Sequence, residues 1–451
     1  MSAPDPLPHL LVAVPVVIAA CRAGAVLVRR IGQPPVIGEI TIGILLGPSL
    51  LGWISPGAAA WLFPAQTLPY LSVLGNIGLL CFMFLVGLEL DLSALRGNSR
   101  TAVAVSQVGI FVPLALGGLL AAGMYGSFAP PGVGRLPFVL FVAVSLSITA
   151  FPVLARILTD RGLYATGLGS LAMASAAVDD VAAWCLLALV TAVSVSGSPG
   201  QAVVTVLWSL VFVAVMASVV RPLLSRLSRR AERLAESTVL AAVFTGLCVS
   251  ACITQEIGIH ALFGAFLFGV VTPRHSRSVE VSAARLRAFA VPLLLPLFFV
   301  STGLNTDISL LGSDVTQWLW AGAVLAVAVL GKFGGATSAA RLSGRDWRDS
   351  LSLGALMNCR GLTELIVLNL GLELGVIGPD LFTILVLMAL VTTAITSPAL
   401  TWFRRSAEPG PAPATGTGTG TGGDDALGKG AGPAPGDGDS LPGDREPATA
   451  A

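Results

Sequence analysis

Two adjacent aspartates, Asp179 and Asp180, lie in the middle of an apolar stretch that reads GSLAMASAAVDDVAAWCLLALV. Neighbouring side chains on a helix point about 100° apart, so one carboxylate can face a water-filled cavity while the other faces a neighbouring helix. Two carboxylates this close in a low-dielectric medium do not readily both ionise, which suits proton exchange. The alternative is that both are neutral groups that hydrogen-bond between helices. The pair predicts an ion- or proton-binding site.

A single lysine, Lys332, is present in residues 1–405, inside the apolar stretch 318–342. A buried ammonium group needs a carboxylate partner, and Asp179 is the natural candidate. The alternative is that Lys332 extends to the cytoplasmic face, because Arg341 follows about 13 Å further along a helix axis.

The stretch 138–158 combines hydroxyl side chains with a proline inside an apolar segment. Ser145, Ser147 and Thr149 precede Pro152, which removes one helical hydrogen bond and clashes with the preceding turn. The carbonyls and hydroxyls of an unwound stretch would suit a monovalent cation. A proline kink with ordinary side-chain hydrogen bonds to the backbone explains the same pattern equally well.

A second polar cluster interrupts the apolar stretch 349–375. Asn358, Arg360 and Glu364 lie there, and the string NCRG predicts a break in the helix. Arg360 and Glu364 are four residues apart, so they can pair on one helix face. If two broken helices face each other, the dipole ends of their half-helices meet inside the membrane. Arg360 would compensate the negative dipole ends, and Glu364 or the aspartates would compensate the positive dipole ends.

Composition places these charges in a membrane protein. Of the 451 residues, 54% are hydrophobic and only 11% are charged, against about 25% charged in a soluble domain. This excludes a cytosolic enzyme and a nucleic-acid-binding protein. A bilayer crossing needs about 20 apolar residues. Thirteen segments are predicted to cross: 8–28, 36–53, 68–90, 102–124, 136–157, 166–194, 201–220, 237–254, 258–272, 289–306, 317–340, 350–372 and 380–402.

The basic residues predict the orientation of these spans. Loops after odd-numbered spans hold nearly all the loop arginines, and loops after even-numbered spans hold only Arg135. Because cytoplasmic loops are rich in Lys and Arg, we expect the N-terminus outside and the C-terminus in the cytoplasm.

Thirteen spans also divide into two halves of six joined by one crossing, as in an inverted repeat. Both predicted interruptions fall in the fifth span of their half, where inverted-repeat transporters hold their sites.

The C-terminal segment and the histidines help to decide between a transporter and an enzyme. Residues 406–451 are rich in Gly, Pro, Ala and Thr, and they are predicted to form a disordered cytoplasmic tail. The three histidines, His9, His260 and His275, all lie near predicted span ends. We therefore expect a transporter rather than an enzyme, with no cofactor and no bound metal beyond a transported monovalent cation.

Seven strings in this chain resemble the monovalent cation:proton antiporter-2 family of the sodium/proton exchanger superfamily. The resemblance covers about 8–402 in order, and it is closest to bacterial relatives of plant cation/proton exchangers. The strings are GEITIGILLGPSLLG, LCFMFLVGLELDL, SITAFPVLARIL, AAVDDVAAW, HALFGAFLFGVVTP, PLFFVSTGLNTDI and MNCRGLTELIVLNLGLELGVI.

The resemblance implies an all-α membrane fold of inverted-repeat type with two interrupted crossing helices. It implies a transmembrane exchanger domain over 1–405 that forms a homodimer and works by an elevator-like movement. The dimerisation part would cover about 8–90 and 237–306, the transport core about 102–194 and 317–402, and a linker helix about 201–220. It implies exchange of Na⁺ or K⁺ for protons across the cytoplasmic membrane.

The resemblance also implies roles for individual residues. Asp180 would carry the transported ion or proton, and Asp179 would pair with Lys332. The first crossing would contain Thr149 and the backbone around 147–151, which includes Ser147, and the second would contain Asn358 and Arg360.

Two departures from the family pattern are informative. Potassium-efflux members carry a nucleotide-binding domain after the membrane part, and the segment 406–451 is too short for one. Several members have Asn or Gln where this chain has Asp179, so the Asp-Asp pair favours electrogenic exchange.

The alternative function is a sodium-coupled symporter of an organic solute on a related inverted-repeat fold. Such a protein would need a roomy polar-aromatic pocket at mid-membrane. The chain has only three tyrosines, and Tyr70 and Tyr125 fall at predicted outer span ends.

Overall fold

The computed structural model describes residues 6–89, 95–164, 166–195, 199–231, 234–274, 276–312 and 314–405. All the regular secondary structure in these residues is helical. Helices suit this apolar chain because each satisfies its own backbone hydrogen bonds, as lipid requires. The predicted tail, residues 406–451, lies outside the described residues, as does His275.

The described residues of the first half of the chain form nine helices. They are α1 (Leu7–Arg30), α2 (Pro35–Leu46), α3 (Leu51–Ile54), α4 (Pro56–Leu62), α5 (Leu68–Glu89), α6 (Leu95–Phe128), α7 (Arg135–Ser147), α8 (Phe151–Asp160) and α9 (Gly167–Val195).

A linker and the second half follow. The linker contains α10 (Pro199–Val215), a π-helical turn (Met216–Val220) and α11 (Arg221–Ala231). The second half contains α12 (Glu236–Ile257), α13 (Ala261–Val271), α14 (Arg277–Phe289), a π-helical turn (Ala290–Leu294), α15 (Leu295–Leu304), a short 3-10 helix (Ile308–Leu311), α16 (Val315–Leu342), α17 (Trp347–Met357), α18 (Leu362–Glu373) and α19 (Pro379–Arg405).

The described residues include eleven helical segments long and apolar enough to cross a membrane. The pair α17 and α18, bent by 40° at a short break, makes a twelfth. The segment predicted at 258–272 is α13, an apolar helix of 11 residues, which is about 16 Å long and shorter than the hydrocarbon core of a bilayer. The all-helical membrane fold is confirmed, with about twelve spans where thirteen were predicted.

The helices pack into two groups. In one group, α1, α2 and α5 pack against α12, α13 and α15; in the other, α6, α7 and α9 pack against α16, α17 and α19. Glycines let α2 and α15 touch through their backbones: a Cβ atom on Gly303 would lie 2.0 Å from the carbonyl carbon of Gly43. The linker helix α10 lies outside both groups, with most of its side chains exposed.

The two predicted interruptions are present, and they cross. The helix breaks between α7 and α8, where Ile148 and Ala150 are extended, and again between α17 and α18. The Ala150 N–H donates to the Cys359 carbonyl at 3.1 Å, so the two extended segments bond directly to each other. Gly361 permits this approach, because a Cβ atom there would lie 2.5 Å from Cγ2 of Val153.

Candidate ion-binding site

Asp179 is fully engaged with its neighbours at the crossing. Its Oδ1 accepts a hydrogen bond from Ser106 Oγ at 2.6 Å. Its Oδ2 accepts from Thr149 Oγ1 at 2.6 Å and from Lys332 Nζ at 2.7 Å. All four side chains are buried. Three donors from α6, the first break and α16 therefore hold this one carboxylate in place.

Lys332 lies inside the protein and does not extend to the cytoplasmic face. Its side chain is fully buried, and besides Asp179 it contacts the Ser147 carbonyl at 2.5 Å. Arg360 donates to the neighbouring carbonyls of Ser145 at 2.8 Å and Leu146 at 2.5 Å. The last carbonyls of α7 have no intrahelical partner, so two cations satisfy them where the helix dipole is negative.

Arg360 is itself fixed from three sides. It pairs with Glu364 at 3.0 Å, and both side chains are fully buried. Its backbone N–H donates to Thr393 Oγ1 at 3.0 Å, and Thr393 Oγ1 donates to its carbonyl at 2.6 Å. The second break is thereby attached to α19.

Asp180 has a different environment from its neighbour. Its side chain is 1% exposed, and its Oδ2 has no hydrogen-bond partner among the described residues. It lines a cavity of about 10 Å³, which is about the space of one water molecule. The cavity is lined by Ile148, Asp180, Ala183, Trp184, Leu187, Thr363 and Val367. A small occupant that offers protons or positive charge would satisfy this carboxylate.

The other predicted site residues contribute in unequal ways. Thr149 links Asp179 to the end of α17, since its hydroxyl also contacts the Met357 carbonyl at 3.1 Å. The Ser147 hydroxyl donates to the Val144 carbonyl at 2.8 Å, so this residue reaches the cluster through its backbone. Asn358 is 4% exposed, and its Oδ1 has no partner among the described residues.

Two contributors were missed by the sequence reasoning, Ser106 and Thr393. Ser106 is one of three serines in α6, and Thr393 is one of several hydroxyl residues in α19. No local motif marks either residue, so only the packing of distant helices against the crossing identifies them.

Comparisons with known proteins identify the family of this chain. A family model described as "Sodium/hydrogen exchanger, transmembrane" matches residues 16–405. The chain is 42% identical over 388 residues to the Na(+)/H(+) antiporter NhaS4 of Synechocystis sp., covering 85% of this chain and 94% of that protein. It is 39% identical over 407 residues to Cation/H(+) antiporter 19 of Arabidopsis thaliana, covering 90% of this chain and 50% of that protein. It therefore spans about half the length of the plant relative.

Among solved structures, the sodium proton antiporter MjNhaP1 from Methanocaldococcus jannaschii has a similar fold. The TM-score is 0.63, and the match covers 88% of this chain and 99% of that chain at 18% sequence identity. At this identity the likeness concerns the fold alone.

Proposed function

Because the chain belongs to the sodium/hydrogen exchanger family, we propose that it is a secondary antiporter that exchanges Na⁺ or K⁺ for protons. The observation that carries the proposal is the unpaired Asp180 Oδ2, buried in a cavity of about 10 Å³ beside the fully paired Asp179. A proton and a cation compete for Asp180, and this competition couples the two fluxes. Each ligand shifts the balance between inward and outward states only through its different affinity for them.

The charges around Asp179 set the electrical character of the exchange. Lys332 and Asp179 form an ion pair that moves with the site, so their charge states decide how much net charge crosses the membrane. Moving one elementary charge across 100 mV is worth about 2.3 kcal/mol. With both groups charged, the pair is neutral, and the charge at Asp180 then determines the voltage dependence.

The moving part is the group formed by α6 to α9 and α16 to α19. Support comes from the placement of both interrupted spans, Asp179, Asp180 and Lys332 in this one group. The group of α1 to α5 and α12 to α15 then forms the static part and the homodimer contact. The movement is elevator-like, in the cytoplasmic membrane, with the N-terminus outside and the C-terminus in the cytoplasm.

The symporter alternative has less support. The relatives reported above are named as antiporters, and the cavity beside Asp180, at about 10 Å³, is too small for an organic solute.

The test uses purified protein in proteoliposomes with an imposed proton gradient and a pH-sensitive dye inside. Addition of Na⁺, K⁺ or Li⁺ outside is expected to dissipate the gradient for the wild-type chain, and Asp180→Asn is expected to abolish this response. Asp160→Asn is the matched control, because Asp160 is 45% exposed and pairs only with Arg156 among the described residues. Retained exchange in a well-inserted Asp180→Asn protein removes Asp180 from the proposed role.

A further inference from the structure

We propose that the Thr363 hydroxyl is a second protein ligand of the transported cation and helps to select the cation over the proton. The inference rests on the proposed antiport at Asp180 and names a specificity-determining group of the same site.

The hydroxyl of Thr363 is buried without a partner. The side chain is 2% exposed, and Oγ1 accepts or donates no hydrogen bond among the described residues. Buried hydroxyl groups are nearly always hydrogen-bonded, so an unpaired one costs free energy unless a ligand or water satisfies it.

The break in the helix explains why the hydroxyl has no partner. Several buried threonines of this chain donate to the carbonyl four residues earlier, as Thr302, Thr306 and Thr392 do. The corresponding carbonyl for Thr363 belongs to Cys359, which lies in the break before α18 begins at Leu362. That carbonyl accepts the Ala150 N–H from the other crossing segment. The crossing therefore frees the hydroxyl of Thr363.

Thr363 lines the same cavity as Asp180. The cavity contains the side chains of both Asp180 and Thr363, and Asp180 Oδ2 is the second unpaired polar atom among its lining residues. The other lining side chains are apolar: Ile148, Ala183, Trp184, Leu187 and Val367. Two residues that line this space of about one water, one on α9 and one on α18, thus each carry a buried oxygen without a partner among the described residues.

A cation and a proton bind to these two oxygens in different ways. A monovalent cation needs several oxygen ligands to replace its hydration shell, and a hydroxyl oxygen next to a carboxylate supplies one. A proton bound to Asp180 forms a covalent O–H bond and has no such need. Removal of the Thr363 oxygen should therefore weaken cation binding more than proton binding, while the carboxylate continues to exchange protons.

The test compares Thr363→Val, which is isosteric and has no hydroxyl, with Thr363→Ser, which keeps it. Exchange in proteoliposomes is measured against Na⁺, K⁺ and Li⁺ at several pH values. We expect Thr363→Val to raise the KM for the cation by about tenfold, the effect of losing one polar interaction, with kcat largely kept. Thr363→Ser should remain close to wild type, and the Val variant should need a higher pH for the same cation response.

The matched control is Thr396→Val, which removes a buried hydroxyl that donates to the Thr392 carbonyl, away from the cavity. Its KM is expected to be unchanged. If Thr363→Val does not fold, Thr363→Ala and Thr363→Ser are compared instead, with cation-dependent thermal stabilisation in detergent as the readout.

An unchanged cation KM and pH profile in Thr363→Val, or equal cation affinity in the Ala and Ser variants, would overturn the inference. That result leaves the antiport proposal intact as long as the wild-type chain exchanges cations and Asp180→Asn does not. Failure of the wild-type chain to exchange any of the three cations would instead contradict the proposed function itself.

Discussion

Asp179 and Asp180 are neighbours in sequence and are equally buried at 1% exposed, yet their surroundings differ. Asp179 accepts hydrogen bonds from Ser106, Thr149 and Lys332. Asp180 Oδ2 accepts none from the described residues and faces a small cavity. The turn of about 100° between adjacent helix positions directs one carboxylate into the packed crossing and the other into the cavity. The same type of side chain thus occurs once with three hydrogen-bond donors and once, at Asp180 Oδ2, with none among the described residues.

The different surroundings of the two aspartates also imply different contributions to the free energy of unfolding. A buried carboxylate with three donors stabilises the arrangement around it, while an unpaired one costs free energy until a ligand arrives. Substitution at Asp179 should therefore act mainly on stability, and substitution at Asp180 mainly on transport. The predictions below test this contrast, starting with the largest expected effect on stability.

Removal of the Asp179 charge should destabilise the protein strongly. In Asp179→Asn, Lys332 remains as a buried cation whose other hydrogen-bond acceptor is the Ser147 carbonyl. Loss of one partner from a buried ion pair costs about 3–5 kcal/mol. Equilibrium unfolding in detergent measures the change. The same substitution at Asp160 in an exposed pair is expected to cost about 0–1 kcal/mol, and equal costs at the two positions would contradict the contrast.

Removal of both charges should recover much of that loss. The double variant Asp179→Asn with Lys332→Gln leaves no unpaired charge in the cluster, and replacing a whole buried ion pair is often nearly neutral. We expect its free energy of unfolding to lie well above that of Asp179→Asn alone. If the double variant is as unstable as the two single variants added together, the two groups are not coupled as their 2.7 Å contact indicates.

A smaller effect is expected at Ser106, the uncharged donor that α6 supplies to Asp179. Ser106→Ala removes one hydrogen bond to Asp179 and leaves two, so the cost should be about 1 kcal/mol. Ser218→Ala is the control, because that hydroxyl is exposed and bonds only within its own helix among the described residues. A loss no greater than that of the control would mean that Ser106 does not hold Asp179.

The sequence predicts the broken helices and the Asp179–Lys332 pair because both leave local signs. The string NCRG and a lone lysine are unusual inside an apolar span, so each marks its own position. A proline is a weaker sign, because the unbroken helices α1, α6 and α19 also contain one. Helices of about 20 apolar residues are equally visible. The segment 258–272 is predicted as a full span because all eleven residues of α13, ALFGAFLFGVV, are apolar, although the helix is too short to cross.

Other parts of the site are not marked by any local sequence pattern. At Ser147, the group that contacts Lys332 is the backbone carbonyl, which every residue has. Ser106 and Thr393 belong to helices that meet the crossing only after folding. The free hydroxyl of Thr363 depends on a carbonyl at Cys359 that a distant segment occupies, and no pattern within one stretch of sequence records that.

The most direct test of the different roles of the two aspartates is cation-induced proton release from the purified, unbuffered protein. The wild-type chain should release protons when Na⁺ or K⁺ is added, because the cation displaces a proton from Asp180. Asp180→Asn should release none, while the double variant Asp179→Asn with Lys332→Gln should still respond. Proton release from Asp180→Asn at the wild-type level would contradict the account.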